Sequence, residues 1–567
     1  MSTHALDVAY SGETWTEEER SVLRRYFTNL DGPVFALVNL PEVVKGALFA
    51  RYSRSGKSLR RLFLDEFVRD LDVSGDHSID ATVGLARAEE LYEKVFYEYG
   101  DDSVAQLGGV HLACEQVSNL LTKVLERGRL MSYMEKSTRY VAYDSRLESG
   151  HYRYYRSPEI LASPLGARYV GDMDRIFDTY AELRPVLYEW YAREAPKPPD
   201  EVPATGAKGG DIAYRRALRA KAFDALRGLL PAAATSNVGI YGSGQGFEAL
   251  LLHMRAHPLP EARLYSDLML TELRKVIPSW VRRVDVPERG GAWSEYLRSK
   301  DAAMAGIAPA VLEGGGAAVS AGSEAAVSST PIGAATPEVR LLDWDPDAEV
   351  KVVTAMLYPF SDLPETEVAA RVAAMSLDQR LRVMATYAGV RSNRRHRPGR
   401  ALERSGYRFE VVSDYGAFRD LQRHRLLTIE WQKLTPSLGY SMPGAVADAG
   451  RRGDYEEAME RSANLYQELD NRLGPDLAAY AVTLAHRVRY VVQMNAREAM
   501  HMLELRTTPQ GHAEYREVCQ KMHGLIRDVA GHRALASMMS FVDHSGSSDQ
   551  SLGRLEAEMR ADARRQR

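Results

Sequence analysis

Around residues 302–338 the composition collapses to Ala, Gly, Ser and Pro, reading GIAPAVLEGGGAAVSAGSEAAVSSTPIGAATP from Gly306 to Pro337. Such a stretch cannot bury enough apolar surface to offset the entropy of ordering it, so 301–338 reads as a flexible linker. It divides the 567-residue chain into 1–300 and 339–567, each long enough for a domain. A second Pro/Gly-rich run, APKPPDEVPATGAKGG from Ala195 to Gly210, marks an insertion near 186–212 in the first part.

A formal net charge of −4 gives no global attraction to nucleic acid. Cys114 and Cys519 stand far apart without metal-ligand spacing, which argues against a disulfide framework and against a metal site. The N-terminal residues lack a charged-then-apolar signal, and no apolar run is long enough to cross a bilayer. The expectation is a cytoplasmic protein with neither nucleic acid nor membrane as partner.

Thr16 ahead of Glu17–Glu19 predicts a capped helix over 14–30. Helical patterns follow over 87–127, broken at Tyr99–Ser103, and over 168–192, 364–376, 378–388 and 454–472. Residues 407–425 alternate like a strand and run into a helix. Gly239, Gly242, Gly244 and Gly246 miss the dinucleotide spacing and mark close backbone approach instead. The stretch Arg487–Tyr515 reads as one long helix with apolar residues on every side, carrying Asn495, Arg497, His501 and Arg506. At about 100° per residue, Asn495 and Arg506 would share one face, and Arg497 and His501 nearly the opposite one. Two buried guanidiniums need anions. Either Glu498, Glu504 and Glu514 pair with them structurally, or the helix lies between two anionic ligands.

Two motif sets bear on this choice. The first is Arg127-x-Arg129-x-x-Ser132-x-x-Glu135-x-Ser137-x-Arg139-Tyr140, followed by Arg227…Pro231 and Arg255. Arginine forks, serine hydroxyls and a glutamate suit a phosphorylated, hydrogen-bonding ligand, although solvated turn chemistry fits the residues equally well. The second is Arg423-His424-Arg425, then Asn495-x-Arg497-x3-His501-x4-Arg506 and His512-Ala513-Glu514-Tyr515. Both resemble the flavin-dependent thymidylate synthases, in that family's order, so the chain resembles a tandem duplication of that fold.

The resemblance implies an α+β protein of two thymidylate-synthase-like domains, each with helices packed on a central antiparallel sheet, joined by the Ala/Gly-rich linker. The copies depart from the family in complementary ways. In the first, Gly128 replaces the central histidine and the later N-x-R pair is missing. In the second, Lys433-x-Thr435 replaces Ser-x-Arg, and Ala479 stands where the first has Arg227. The first copy thus keeps nucleotide-side groups: Arg129, Glu135, Ser137, Arg139, Arg227 and Arg255. The second keeps FAD-side groups: Glu403, Arg423, His424, Arg425, Asn495, Arg497, His501 and His512. Arg506 falls on the nucleotide side as the candidate catalytic residue, stabilising charge on the pyrimidine ring.

By resemblance, the activity implied is reductive methylation of dUMP to dTMP, with FAD as cofactor and NADPH and methylenetetrahydrofolate as co-substrates. A homodimer forming a pseudo-tetramer is implied too, because family members are homotetramers with shared sites. The departures leave open a flavoenzyme acting on another pyrimidine nucleotide, or a non-catalytic paralogue that binds nucleotide or flavin.

Overall fold

The computed structural model describes residues 13–32, 37–52, 57–66, 108–138, 141–197, 209–313 and 336–546, with a few single positions besides. The helical patterning over 87–105, the residue Arg139 and the 314–335 part of the expected linker lie outside the described residues. The expected linker's opening residues, 301–313, continue the helix Ala292–Glu313. Their alanines favour helix even without a buried face.

The fold is α+β. Seven strands are described: β1 (Gly109–Ser118), β2 (Met131–Glu135), β3 (Thr235–Ser243), β4 (Glu338–Trp344), β5 (Tyr407–Asp414), β6 (Thr428–Trp431) and β7 (Arg487–Met494). The first three form a sheet in the order β1-β3-β2, and the last four a sheet in the order β4-β5-β7-β6. In the second sheet every pairing is antiparallel, with Phe409 opposite Val492 and Val411 opposite Tyr490.

Two elements differ from the sequence expectation. Residues 109–118, placed within a helical pattern, are strand. The single helix expected from Arg487 to Tyr515 is a strand to Met494, a helix Ala496–Arg506, and a second helix beginning at Ala513. Val488, Tyr490, Val491 and Val492 prefer a pleated, half-buried surface, and pairing with both β5 and β6 overrides the helical reading. Asn495 is the helix N-cap, its Oδ1 accepting from the Glu498 N–H at 2.9 Å. The two-face geometry therefore fails for Asn495, while Arg497 and His501, four apart, keep one face.

The chain forms two compact units that do not coincide with its two halves. One comprises 1–114, 130–134 and 238–319. In it Thr16 caps Glu17–Tyr26 with a reciprocal Glu19 bond, as the sequence predicts. A Cβ on Gly244 would stand 2.7 Å from the Trp280 ring, so close backbone approach is what that glycine permits.

The other unit comprises 115–129, 135–237 and 320–567, and so joins pieces of both halves. Its helices Gly166–Glu194 and Arg452–Leu473 pack together. The segments after Arg227 and after Ala479 bond reciprocally: Ala232 N donates to Val482 O at 2.7 Å, and Leu484 N to Leu230 O at 2.8 Å. These bonds tie a segment of the first half to one of the second.

Candidate functional site

The second unit buries a charged cluster built from both halves. β2 ends at Glu135, whose side chain is fully buried and accepts from the Nη2 groups of Arg419 and Arg423. Arg419 sits on the helix Tyr415–Gln422, begun by the Asp414 cap, and Arg423 is its C-cap. Lys123 lies 3.6 Å from Glu135 and 2.5 Å from Glu126, and is also buried. Burial alone would raise the Glu135 carboxyl, but Arg419, Lys123 and Arg423 hold it well below the usual carboxylate range. Burial also lowers Lys123, against the pull of Glu126 and Glu135.

A second line of contacts runs beside the first. Arg227, with 5% of its side chain exposed, reaches Asp420 Oδ2 at 2.9 Å. Arg506 Nη2 donates to the backbone oxygen of the same Asp420 at 2.5 Å. Arg506 Nε donates to His424 Nε2 at 2.9 Å, and His424 Nδ1 meets Glu498 Oε1 at 3.0 Å. Glu498 Oε2 lies 3.3 Å from His501 Nδ1. The Arg506 guanidinium also stands 5.5 Å from the centre of the Tyr515 ring. A cavity of about 210 Å³ adjoins Arg227, lined in part by Tyr191, Lys221, Ser441, His512 and Glu514.

The flavin-side candidates are spread differently. Arg497, 34% exposed, pairs with Glu403 at 2.9 Å and donates to Pro398 O. Glu403 is lowered by hydrogen bonds from Arg400 and then Arg497. His501 is 26% exposed and Arg425 is exposed beyond its helix. His512 caps the helix Ala513–Asp528, its Nδ1 accepting from Glu514 N. Of the nucleotide-side candidates, Arg129 reaches Leu427 O and Thr428 Oγ1 at 3.1 and 3.0 Å, and Ser137 is half-buried. Arg255 belongs to the first unit, at a helix end, paired with Asp267. Sequence motifs passed over Asp420 and Arg419, and Glu498, expected to pair with a buried arginine, pairs with His424 and His501 instead. Only their position beside the motif arginines could have flagged Asp420 and Arg419.

Ligand atoms of His424, Glu498 and His501 lie within 4.8 Å of one another, a spacing a cation could bridge. An arginine Nε–H can only donate, so His424 Nε2 is the unprotonated nitrogen and Nδ1 carries the proton. That tautomer offers no lone pair to a metal from Nδ1 and leaves the cluster as a hydrogen-bonded chain.

Burial lowers His424 to about 4 and His486, beside Thr483, to about 4. Both rings are neutral in the fold and take up protons near pH 6.5 when unfolded. The unfolded state therefore binds more protons between about pH 6.5 and 4, and stability falls as pH falls through that window. Each histidine accounts for roughly 3 kcal/mol of that loss. Urea unfolding of His486→Gln at pH 6.5 and 4 should show an acid-side loss smaller by about that amount; an unchanged pH slope would contradict this.

The thymidylate synthase complementing protein family matches residues 55–279 and 340–531, one segment in each half. A UPF0159 protein of Chlamydia pneumoniae is 38% identical over 554 residues, covering 97% of this chain and 98% of that one. A flavin-dependent thymidylate synthase of Geobacter sulfurreducens is 26% identical over 34% of this chain and 83% of its own. The crystal structure of a UMP/dUMP methylase, PolB from Streptomyces cacaoi, aligns with 37% of this chain and 98% of its own, at 17% identity and a TM-score of 0.27. Among the described residues no helix is long and apolar enough to cross a membrane. With the match falling on both halves and covering most of the chain, this protein belongs to the thymidylate synthase complementing protein family, as a tandem member.

Proposed function

We propose that the chain reductively methylates a pyrimidine nucleotide, dUMP being the first candidate, at one composite site in its second unit. The observation that supports this most is the joining of Glu135 and Arg227, from the first half, to Arg423, Asp420 and Arg506, from the second. Glu135, which the resemblance assigns to the nucleotide, and Arg423, which it assigns to the flavin, meet because the halves do, while Arg506 and His424 meet within the second half.

In this reading Arg227 and Arg506 flank Asp420 and face the nucleotide. Arg227 serves its phosphate or ring oxygens, and Arg506 stabilises negative charge on the pyrimidine as C5 becomes nucleophilic. Glu135 holds Arg419 and Arg423 in place from beneath. Arg129, Ser137 and Arg139 would complete the nucleotide side; Arg255 lies in the first unit.

The FAD-side residues fit the cofactor in part. Arg425 is exposed and Arg497 and His501 are half-buried, with Glu403 orienting Arg497. Arg423 and His424 are spent on Glu135 and on Glu498 with Arg506, and Asn495 and His512 cap helices. FAD would supply the hydride, NADPH its reducing equivalents and methylenetetrahydrofolate the carbon. The protein holds the nucleotide, orients C5 and keeps its buried cations compensated.

The test is direct. The purified protein should carry or take up flavin, seen as a yellow absorbance band, and NADPH oxidation should rise on adding dUMP more than on adding cytidine or ribose analogues. Arg497→Ala should weaken flavin binding, and Arg227→Ala should weaken nucleotide binding by about 1.5–3 kcal/mol with flavin retained. Equal losses of both ligands in both variants would contradict the division. A colourless protein that cannot be loaded with flavin would exclude the enzymatic reading.

A further inference from the structure

Between Arg497 and His501 stands Glu498, a residue to which no motif assigns a role. It is 3% exposed, yet its carboxylate bridges two imidazoles, His424 on one oxygen and His501 on the other. Burial raises the carboxyl, but the bonds from His424 and His501 outweigh it and hold Glu498 ionised. Nε2 of His424 accepts from Arg506 Nε, so Nδ1–H donates to Glu498, and one proton arrangement satisfies every member. Arg506 is thereby gripped twice, at Nε by His424 and at Nη2 by the Asp420 carbonyl. Its Nη1 makes no hydrogen bond among the described residues, which leaves that nitrogen's two N–H groups for a ligand.

We propose that Glu498 is a positioning residue. Acting through His424, it fixes the plane of the Arg506 guanidinium and aims Nη1 at the nucleotide. This rests on the reading of Arg506 as a nucleotide-facing group. The carboxylate also makes the imidazole a stronger acceptor, because Nδ1–H donated to an anion leaves more charge on Nε2. Without it the ring can rotate and Arg506 loses one of its two anchors. Turnover then falls through orientation rather than through loss of a contact to the nucleotide.

The experiment uses the full chain labelled with nitrogen-15 in arginine and histidine, comparing wild type with Glu498→Ala, Glu498→Gln and Glu498→Asp. In the wild type, His424 should show the Nδ1–H neutral tautomer, and the Arg506 Hε resonance should lie downfield, bonded to an imidazole. Glu498→Ala should lose that shift, and dUMP-dependent turnover per bound flavin should drop on the order of tenfold to a hundredfold, the equivalent of one charge-assisted bond. The drop should appear in kcat more than in KM. Glu498→Asp should retain most of both signals, and Glu498→Gln serves if the alanine variant does not fold. In an Arg506→Lys background, Glu498→Gln should add little. A wild-type Arg506 signal and turnover in Glu498→Gln, or a full additional loss in the Arg506→Lys background, would overturn the proposal. A wild type with no nucleotide-dependent turnover would count against the functional reading, and the resonance comparison would still decide the positioning role.

Discussion

Replacing Glu135 by alanine is expected to destabilise the fold by about 3–5 kcal/mol, the largest stability effect of any single change in this site. Its carboxylate is fully buried and is the shared anion of Arg419 and Arg423, with Lys123 3.6 Å away. Alanine leaves these cations with Glu126, 2.5 Å from Lys123 and 3.8 Å from Arg423, and with Asp420 near Arg423. Removing one partner of a buried network costs more than the network contributes, because the desolvated charge remains. Replacing both sides should behave differently: Glu135→Leu with Arg423→Met should recover part of the loss. Guanidinium unfolding at neutral pH checks both. A midpoint unchanged in Glu135→Ala would mean that the two halves do not meet here.

Replacing Arg506 by alanine is expected to lower nucleotide-dependent turnover by roughly 10²–10³-fold, as removal of one preorganised donor to a developing anion does elsewhere. The residue is held by His424 and by the Asp420 carbonyl before any ligand arrives, so little reorganisation is left for the reaction step. Arg506→Lys keeps the charge but not the planar fork, and should recover only a fraction. The loss should fall on kcat as well as kcat/KM, since the interaction strengthens as charge develops. A loss confined to KM would make Arg506 a ground-state binding group.

Part of the candidate site was nominated by motif residues through a family resemblance. Arg423-His424-Arg425, Asn495-x-Arg497 and Glu135-x-Ser137 pointed to a duplicated nucleotide and flavin enzyme. What joins them could not be read. Glu135 meets Arg419 and Arg423 across a sequence separation of 284 and 288 residues, and no local pattern predicts that encounter. Asp420 carried no signal until the fold placed it between Arg227 and Arg506, and Glu498, expected to pair with a buried arginine, lies between two histidines. The strand β7 was misread for a different reason. Eight residues, mostly apolar, fit a buried helix or a central strand equally well by periodicity, and only pairing with β5 on one side and β6 on the other decides. The division of the chain at its Ala/Gly-rich stretch likewise says nothing about which segments pack together. Residues 135–237 of the first half share a compact unit with the second.

A crystal of the protein soaked with brominated deoxyuridine monophosphate offers the most direct check, read from the bromine anomalous signal. A single composite site predicts the bromine beside Arg506 and the phosphate at Arg227, with side chains from both halves touching one nucleotide. A nucleotide held by residues of one half alone, away from both arginines, would contradict it.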